Sequence, residues 1–137
     1  MNLETTAGAP YKAHNNIRKK MRKEIGTRYK FEGNHSFENY FKHMSEYKFV
    51  ICPPGRGIDT HRCWESLMVG CIPIMIKVDS MNELYEDLPV LLVDNYENIN
   101  DEFLNKEYEN IRKRTYNFDK LYTDYWDKEF DKYDLSL

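Results

Sequence analysis

No apolar stretch in the 137 residues approaches the roughly 20 that a membrane span requires, and the start of the chain lacks the basic-then-apolar pattern of a secretory signal. The chain is therefore expected to be soluble and, on its own, cytoplasmic; membrane association would have to come through a segment outside it. Cysteine is sparse and odd in number. Cys52, Cys63 and Cys71 sit in apolar neighbourhoods without C-x-x-C spacing, which points to buried free thiols in a reducing compartment rather than a disulfide framework. With His61 added, the same residues match no zinc finger or ribbon spacing, so no metal site is expected. There is no internal repeat and no sign of a second domain.

A formal net charge of −3 and 15% aromatic residues suit one compact domain over 1–137. A chain of this length buries roughly 68% of its unfolded surface, enough for stability without disulfide staples. Charge is unevenly spread: Lys12, Arg18, Lys19, Lys20, Arg22, Lys23, Arg28 and Lys30 face Glu24 alone between Tyr11 and Lys30. A solvated helix face is the ordinary reading and an anion-facing surface the other. No stacking aromatics are interleaved with these residues and no zinc-finger or RNP pattern accompanies them, so nucleic acid is not favoured.

Residues 1–15 hold Gly8 and Pro10 and little apolar periodicity, so they read as an arm or loop. A basic helix is expected from Asn16 to about Ile25, with Ile17, Met21 and Ile25 on one face and Gly26 as its stop. "RYKFEG" is a weak strand candidate. Ser36 suits the N-cap of a helix whose Phe37, Tyr40, Phe41 and Met44 would lie on a core. "YKFVIC", "CIPIMIKV" and "LPVLLVD" are apolar, β-favouring runs of the kind covered on both faces, separated by a helix ending at Gly70 and a short helical stretch from Ser80 to Asp87. Strands alternating with helices predict an α/β fold, a single Rossmann-like domain with a parallel sheet flanked by helices. Residues 96–137 read as a charged helical region with Phe103, Ile111, Phe118, Leu121, Tyr122, Tyr125 and Trp126 as apolar anchors.

Ligands of open parallel sheets sit beyond the carboxyl ends of the strands, where the loop from Cys52 to Thr60 emerges. Gly55 and Gly57 would let the backbone approach a ligand, while Asp59 or Thr60 would cap the next helix and leave its other amides for an anion. Helical spacing puts Trp64, Leu67 and Met68 on one face and Arg62 and Glu65 on another. Arg62 would offer a planar donor fork to a diphosphate, and Glu65, one turn on, two acceptors to ribose hydroxyls. The plainer reading is an i, i+3 ion pair on the surface, which leaves the glycines and Arg56 without a reason. "GRGIDTHR" lacks the second glycine and the lysine of a P-loop, Thr60 stands where a G-x-G-x-x-G run needs glycine, and Ile58 stands where a phosphatase-type cysteine loop needs arginine. His61 as a general base is a minor alternative to a surface or capping role.

The stretch "CPPGRGIDTHRCWESLMVGCIPIMI" resembles the C-terminal signature of exostosin-like glycosyltransferases, a pattern of P-x-G, [ST]-x-R-x-x-E, a small residue and C-[IV]-P-[IV]. Pro53, Gly55, Arg56, Thr60, Arg62, Glu65, Gly70, Cys71, Ile72 and Pro73 fall in step with it. The resemblance spans Tyr47 to about Asp94 and implies the donor-binding half of a GT-B enzyme. Arg56 and Arg62 would hold the diphosphate of a UDP- or GDP-sugar, Glu65 the ribose, and Gly55, Gly57, Asp59, Thr60 and His61 would frame the nucleotide. It implies transfer of a hexosyl or pentosyl unit to a glycan or other hydroxyl acceptor, no tightly bound cofactor and no essential metal, there being no Asp-x-Asp. Only one domain's worth of residues is present, so an N-terminal acceptor domain would be missing. Any base would come from that half, or from His61 or Asp79. The alternative is a non-catalytic module binding nucleic acid or another polyanion through residues 18–30.

Overall fold

The computed structural model describes residues 12–29 and 36–133. The chain runs α1 (Lys12–Ile25), α2 (Phe37–Met44), β1 (Phe49–Ile51), α3 (His61–Met68), β2 (Ile72–Ile76), a 3-10 turn (Asp79–Met81), α4 (Asn82–Tyr85), β3 (Leu91–Val93), α5 (Asp101–Arg112), a second 3-10 turn (Asp119–Leu121) and α6 (Thr123–Asp131). The three strands form one parallel sheet in the order β1-β2-β3, with Ile51 opposite Ile74 and Ile74 opposite Leu91. The α/β class expected from the alternating pattern is what the chain adopts.

Proline sits inside the central strand without breaking it. The amide of Ile72 donates to the Lys48 carbonyl on the β1 side, so strand alternation turns the nitrogen of Pro73 toward the β3 side. Pairing with β3 begins only at Ile74, one residue later, and the missing N–H interrupts no ladder bond.

Each sheet face has its own core. Ile72, Ile74, Leu91 and Val93 point to one side, where Met21 and Ile25 of α1 and Ile111 of α5 cover them. Met75 points to the other and packs with Cys52, Cys63, Leu67, Tyr85 and Leu88 from α3, α4 and their loops. Period-2 alternation along the strands thus sorts the apolar residues into two layers, as a parallel sheet covered on both faces requires. The three cysteines are free and buried, and burial pushes the Cys52 thiol up to about 12.

Caps follow the sequence where it offers them. Ser36 Oγ accepts from the Asn39 amide at 3.4 Å at the start of α2. Gly70, with φ +81°, ends α3 in a paired arrangement: the amides of Cys71 and Gly70 return to the carbonyls of Ser66 and Leu67.

Several expectations are corrected. Residues 12–15 belong to α1 rather than to an arm; residues 1–11 lie outside the described residues. Arg28 and Tyr29 form a turn after α1, not a strand, and the rest of that weak candidate also lies outside the described residues. In α2 Met44 is buried while Phe37 is 78% exposed, because only one end of this short helix reaches the core. β1 is an edge strand and its residues are only half-buried, so β2 alone is closed in on both faces. Phe118 and Tyr122 are exposed rather than anchoring, although Ile111 is buried as expected. The buried face of α3 is Cys63, Ser66 and Leu67, with Trp64 at its margin and Met68 62% exposed.

Candidate functional site

The β1–α3 loop leaves the carboxyl end of the edge strand. Cys52, Pro53 and Pro54 are buried, which fixes the loop's root, while Arg56 and Gly57 stand at the surface. Its turn closes through the Gly55 amide donating to the Gly57 carbonyl at 2.9 Å. A Cβ at Gly55 would stand 3.4 Å from both Arg18 Nη2 and Thr60 Cγ2, at the near edge of ordinary contact. At Gly57 the nearest atom is the Asp59 carbonyl at 3.5 Å.

Thr60 takes the N-cap position of α3 with extended backbone, but no side chain caps the helix. This corrects the capping role expected of Asp59 or Thr60. Asp59 is drawn elsewhere: its carboxylate accepts from the Trp64 indole at 3.0 and 3.1 Å and from the Tyr85 hydroxyl at 2.7 Å. The first-turn amides of α3 consequently keep their partial positive charge without an anionic cap.

On the other side of α3, Arg62 and Glu65 are half-buried beside Tyr40 of α2. Tyr40 donates to Glu65 Oε2 at 3.0 Å, and Arg62 and Glu65 form no ion pair with one another among the described residues. Burial pushes the Tyr40 phenol up to about 12, against the pull of Arg62, so the hydroxyl stays a donor at neutral pH. Two polar atoms here are buried without a hydrogen-bond partner: Nε of Arg62 and Oγ1 of Thr60.

A second guanidinium joins them from α1. Arg18 Nε donates to the Pro54 carbonyl at 2.6 Å, across 36 residues of chain. Its proton affinity is lowered by burial first and then by the charges of Arg62 and Arg22. Tyr96, in the turn after β3, is buried with its hydroxyl unpartnered and feels the charge of Arg18. Two like charges near each other in a partly dry setting favour an anion beside them.

Gly55, Thr60, Arg62 and Glu65 are therefore brought together. Arg56, Gly57 and His61 lie at the surface of the loop and of the first turn of α3, and Asp59 faces away. Arg18 and Tyr40 were missed as site residues. Arg18 was legible only as part of a basic helix face, although it follows Ile17 at the edge of the buried stripe. Tyr40 was legible only as part of an apolar stripe. Among the described residues no three His, Cys, Asp or Glu side chains gather as a metal site would need, and no helix is long and apolar enough to cross a membrane. Scans of the chain against models of protein families and against curated proteins return no match.

Proposed function

We propose that this chain is the donor-binding domain of a glycosyltransferase. It would take a nucleoside diphosphate sugar at the β1–α3 loop, for transfer of the sugar to a hydroxyl of a glycan or other acceptor held by a second domain. The observation that carries this reading is the meeting of Arg18 and Arg62 at the uncapped start of α3, where Arg62 Nε is buried without an acceptor. An isolated buried donor costs roughly 1–3 kcal/mol, and a diphosphate would remove that cost and be attracted by both cations.

In this reading Arg18 and Arg62 cradle the diphosphate, with the first-turn amides of α3 as further donors. As the bond between the sugar and the diphosphate breaks, negative charge gathers on the departing oxygen, and fixed cations nearby lower the barrier. Glu65 would accept the ribose hydroxyls, oriented by its bond from Tyr40. Arg56 and His61, being exposed, would close onto the nucleotide only from the surface of the loop; His61 or Asp79 would serve as base only if the second domain supplies none.

Titration calorimetry with UDP- and GDP-sugars tests this. Saturable binding by the native chain, weakened more than roughly tenfold by Arg18→Ala and by Arg62→Ala, is expected; folded protein that takes up no donor at millimolar concentration refutes it. Polyanion binding through residues 18–30 is less favoured, since Lys20 lies 3.4 and 3.3 Å from Glu24 and Glu97, and Arg28 donates to the carbonyls of the same two residues. Salt-sensitive binding of labelled oligonucleotides, lost when Lys19 and Lys23 are neutralised, would reinstate it.

A further inference from the structure

A second feature lies on the opposite side of α3 from Arg62, since Trp64 projects about 200° around the helix from that residue. A groove of about 390 Å³ opens between α3, α4 and the start of α6, bordered by Asp59, Trp64, Met68, Lys120, Tyr122 and Trp126. Its volume falls in the range of small-ligand sites, roughly 300–1,000 Å³.

The chemistry of its walls is selective. The indole N–H of Trp64 is held by Asp59, and the Trp64 ring lies against Tyr85 with centroids 6.2 Å apart. The indole N–H of Trp126 donates to the Lys120 carbonyl at 2.9 Å, and Tyr125 packs edge-on against that ring. Both indoles thus have their polar atoms satisfied within the protein and their rings held in place. What remains for a ligand is ring surface.

Among the described residues that border the groove Lys120 is the one cation, and its three protons are committed to the carbonyls of Glu83, Leu84 and Glu86 at 2.8, 3.2 and 3.2 Å. An anion would have to draw Lys120 away from those carbonyls. Asp59, although bound by Trp64 and Tyr85, remains exposed, and a carboxylate offers about four acceptor positions against the two donors it meets, the indole N–H being shared between its oxygens. Thr123 adds a hydroxyl, and α6 begins there without a side-chain cap, leaving first-turn amides as donors. Flat apolar faces flanked by an exposed carboxylate, a hydroxyl and backbone donors, with the one ammonium turned to carbonyls, suit a ring with a C–H face and a rim of hydroxyls, since a carboxylate accepts from hydroxyls.

We propose that this groove binds a neutral saccharide, stacked on Trp64, Trp126 and Tyr122 and held at its rim by Asp59 and Thr123. The inference does not rest on donor binding at Arg18 and Arg62, and its test involves no nucleotide sugar. Rings held before binding lose little conformational freedom on contact, which favours recognition of a small ligand.

The chain contains two tryptophans, Trp64 and Trp126, and both line the groove, so fluorescence excited selectively at tryptophan reports on its walls. Titration with methyl α-glucoside, methyl β-galactoside, N-acetylglucosamine and cellobiose is expected to give a saturable shift in emission with at least one of them at millimolar concentration. Tyr122→Leu and Thr123→Val, at exposed positions where folding is least at risk, should each weaken that binding by roughly three- to tenfold. The proposal is overturned if none of the four sugars moves the emission of protein shown to be folded by circular dichroism. It is equally overturned if uridine shifts the emission and the sugars do not, or if both variants bind as the native chain does.

Discussion

Replacing Arg62 with methionine separates a residue kept for a ligand from one kept for the fold. In the free protein the change removes a buried Nε that has no acceptor, whose uncompensated burial costs about 1–3 kcal/mol. It also removes a charge that disfavours protonated Arg18. Methionine keeps most of the apolar stem, so packing along α3 is largely retained, while the guanidinium's contact with the Tyr40 phenol is lost. The net effect expected is a gain of about 1 kcal/mol. For a domain of this length the unfolding entropy is about 0.3 kcal/mol/K, so Tm should rise by roughly 3–4 °C. With donor present the sign reverses. A charge-assisted hydrogen bond contributes about 1.5–3 kcal/mol, and its loss should lower affinity for the nucleotide sugar by roughly 10- to 150-fold. Differential scanning calorimetry reads the first effect and isothermal titration the second. A lower Tm with donor affinity unchanged would refute the reasoning and make Arg62 a structural residue.

Gly55→Ala and Gly57→Ala would each set the new Cβ at ordinary contact distance, 3.4 Å from Arg18 and Thr60 and 3.5 Å from the Asp59 carbonyl, so both should leave donor binding largely unchanged; titrations in which either variant loses binding would contradict the geometry. Gly70→Ala meets no atom within 4 Å, so only its φ of +81° matters, and a cost of about 1–2 kcal/mol should lower the thermal midpoint by several degrees. Stability should fall with alkaline pH. Burial pushes Cys52 and Tyr40 up to about 12 and raises Cys63, Tyr85 and Tyr96 as well. The folded chain then holds protons that the unfolded chain releases from the ordinary values of 9.0 for thiols and 10.0 for phenols upward. The stabilisation is complete below pH 9.0 and is lost as pH rises toward about 12; equal urea midpoints at about pH 8 and about pH 11 would show that these groups are not buried in solution.

Features encoded locally were legible in the chain. The periodicity of Ile17, Met21 and Ile25 located α1, Ser36 its neighbour's cap, Gly70 the end of α3, and three apolar runs the parallel strands. Each depends on residues within one or two turns of each other, or on alternation along a single strand, so no knowledge of distant chain was required. Exposure was less legible, because Phe37 and Met68 are apolar yet lie where, among the described residues, no second layer covers the short helices α2 and α3.

The site divides along the same line. The sequence by itself determined that a glycine-bearing loop opens into a helix with Arg62 and Glu65 one turn apart, since that geometry is internal to one helix. Only the tertiary structure decided that Arg18 reaches Pro54, that Tyr40 rather than Arg62 pairs with Glu65, and that Asp59 leaves the helix start for Trp64 and Tyr85. Those meetings follow from how α1, α2 and α4 pack on the sheet. Nothing in the local sequence of a helix specifies which distant carbonyl or ring its side chains will meet.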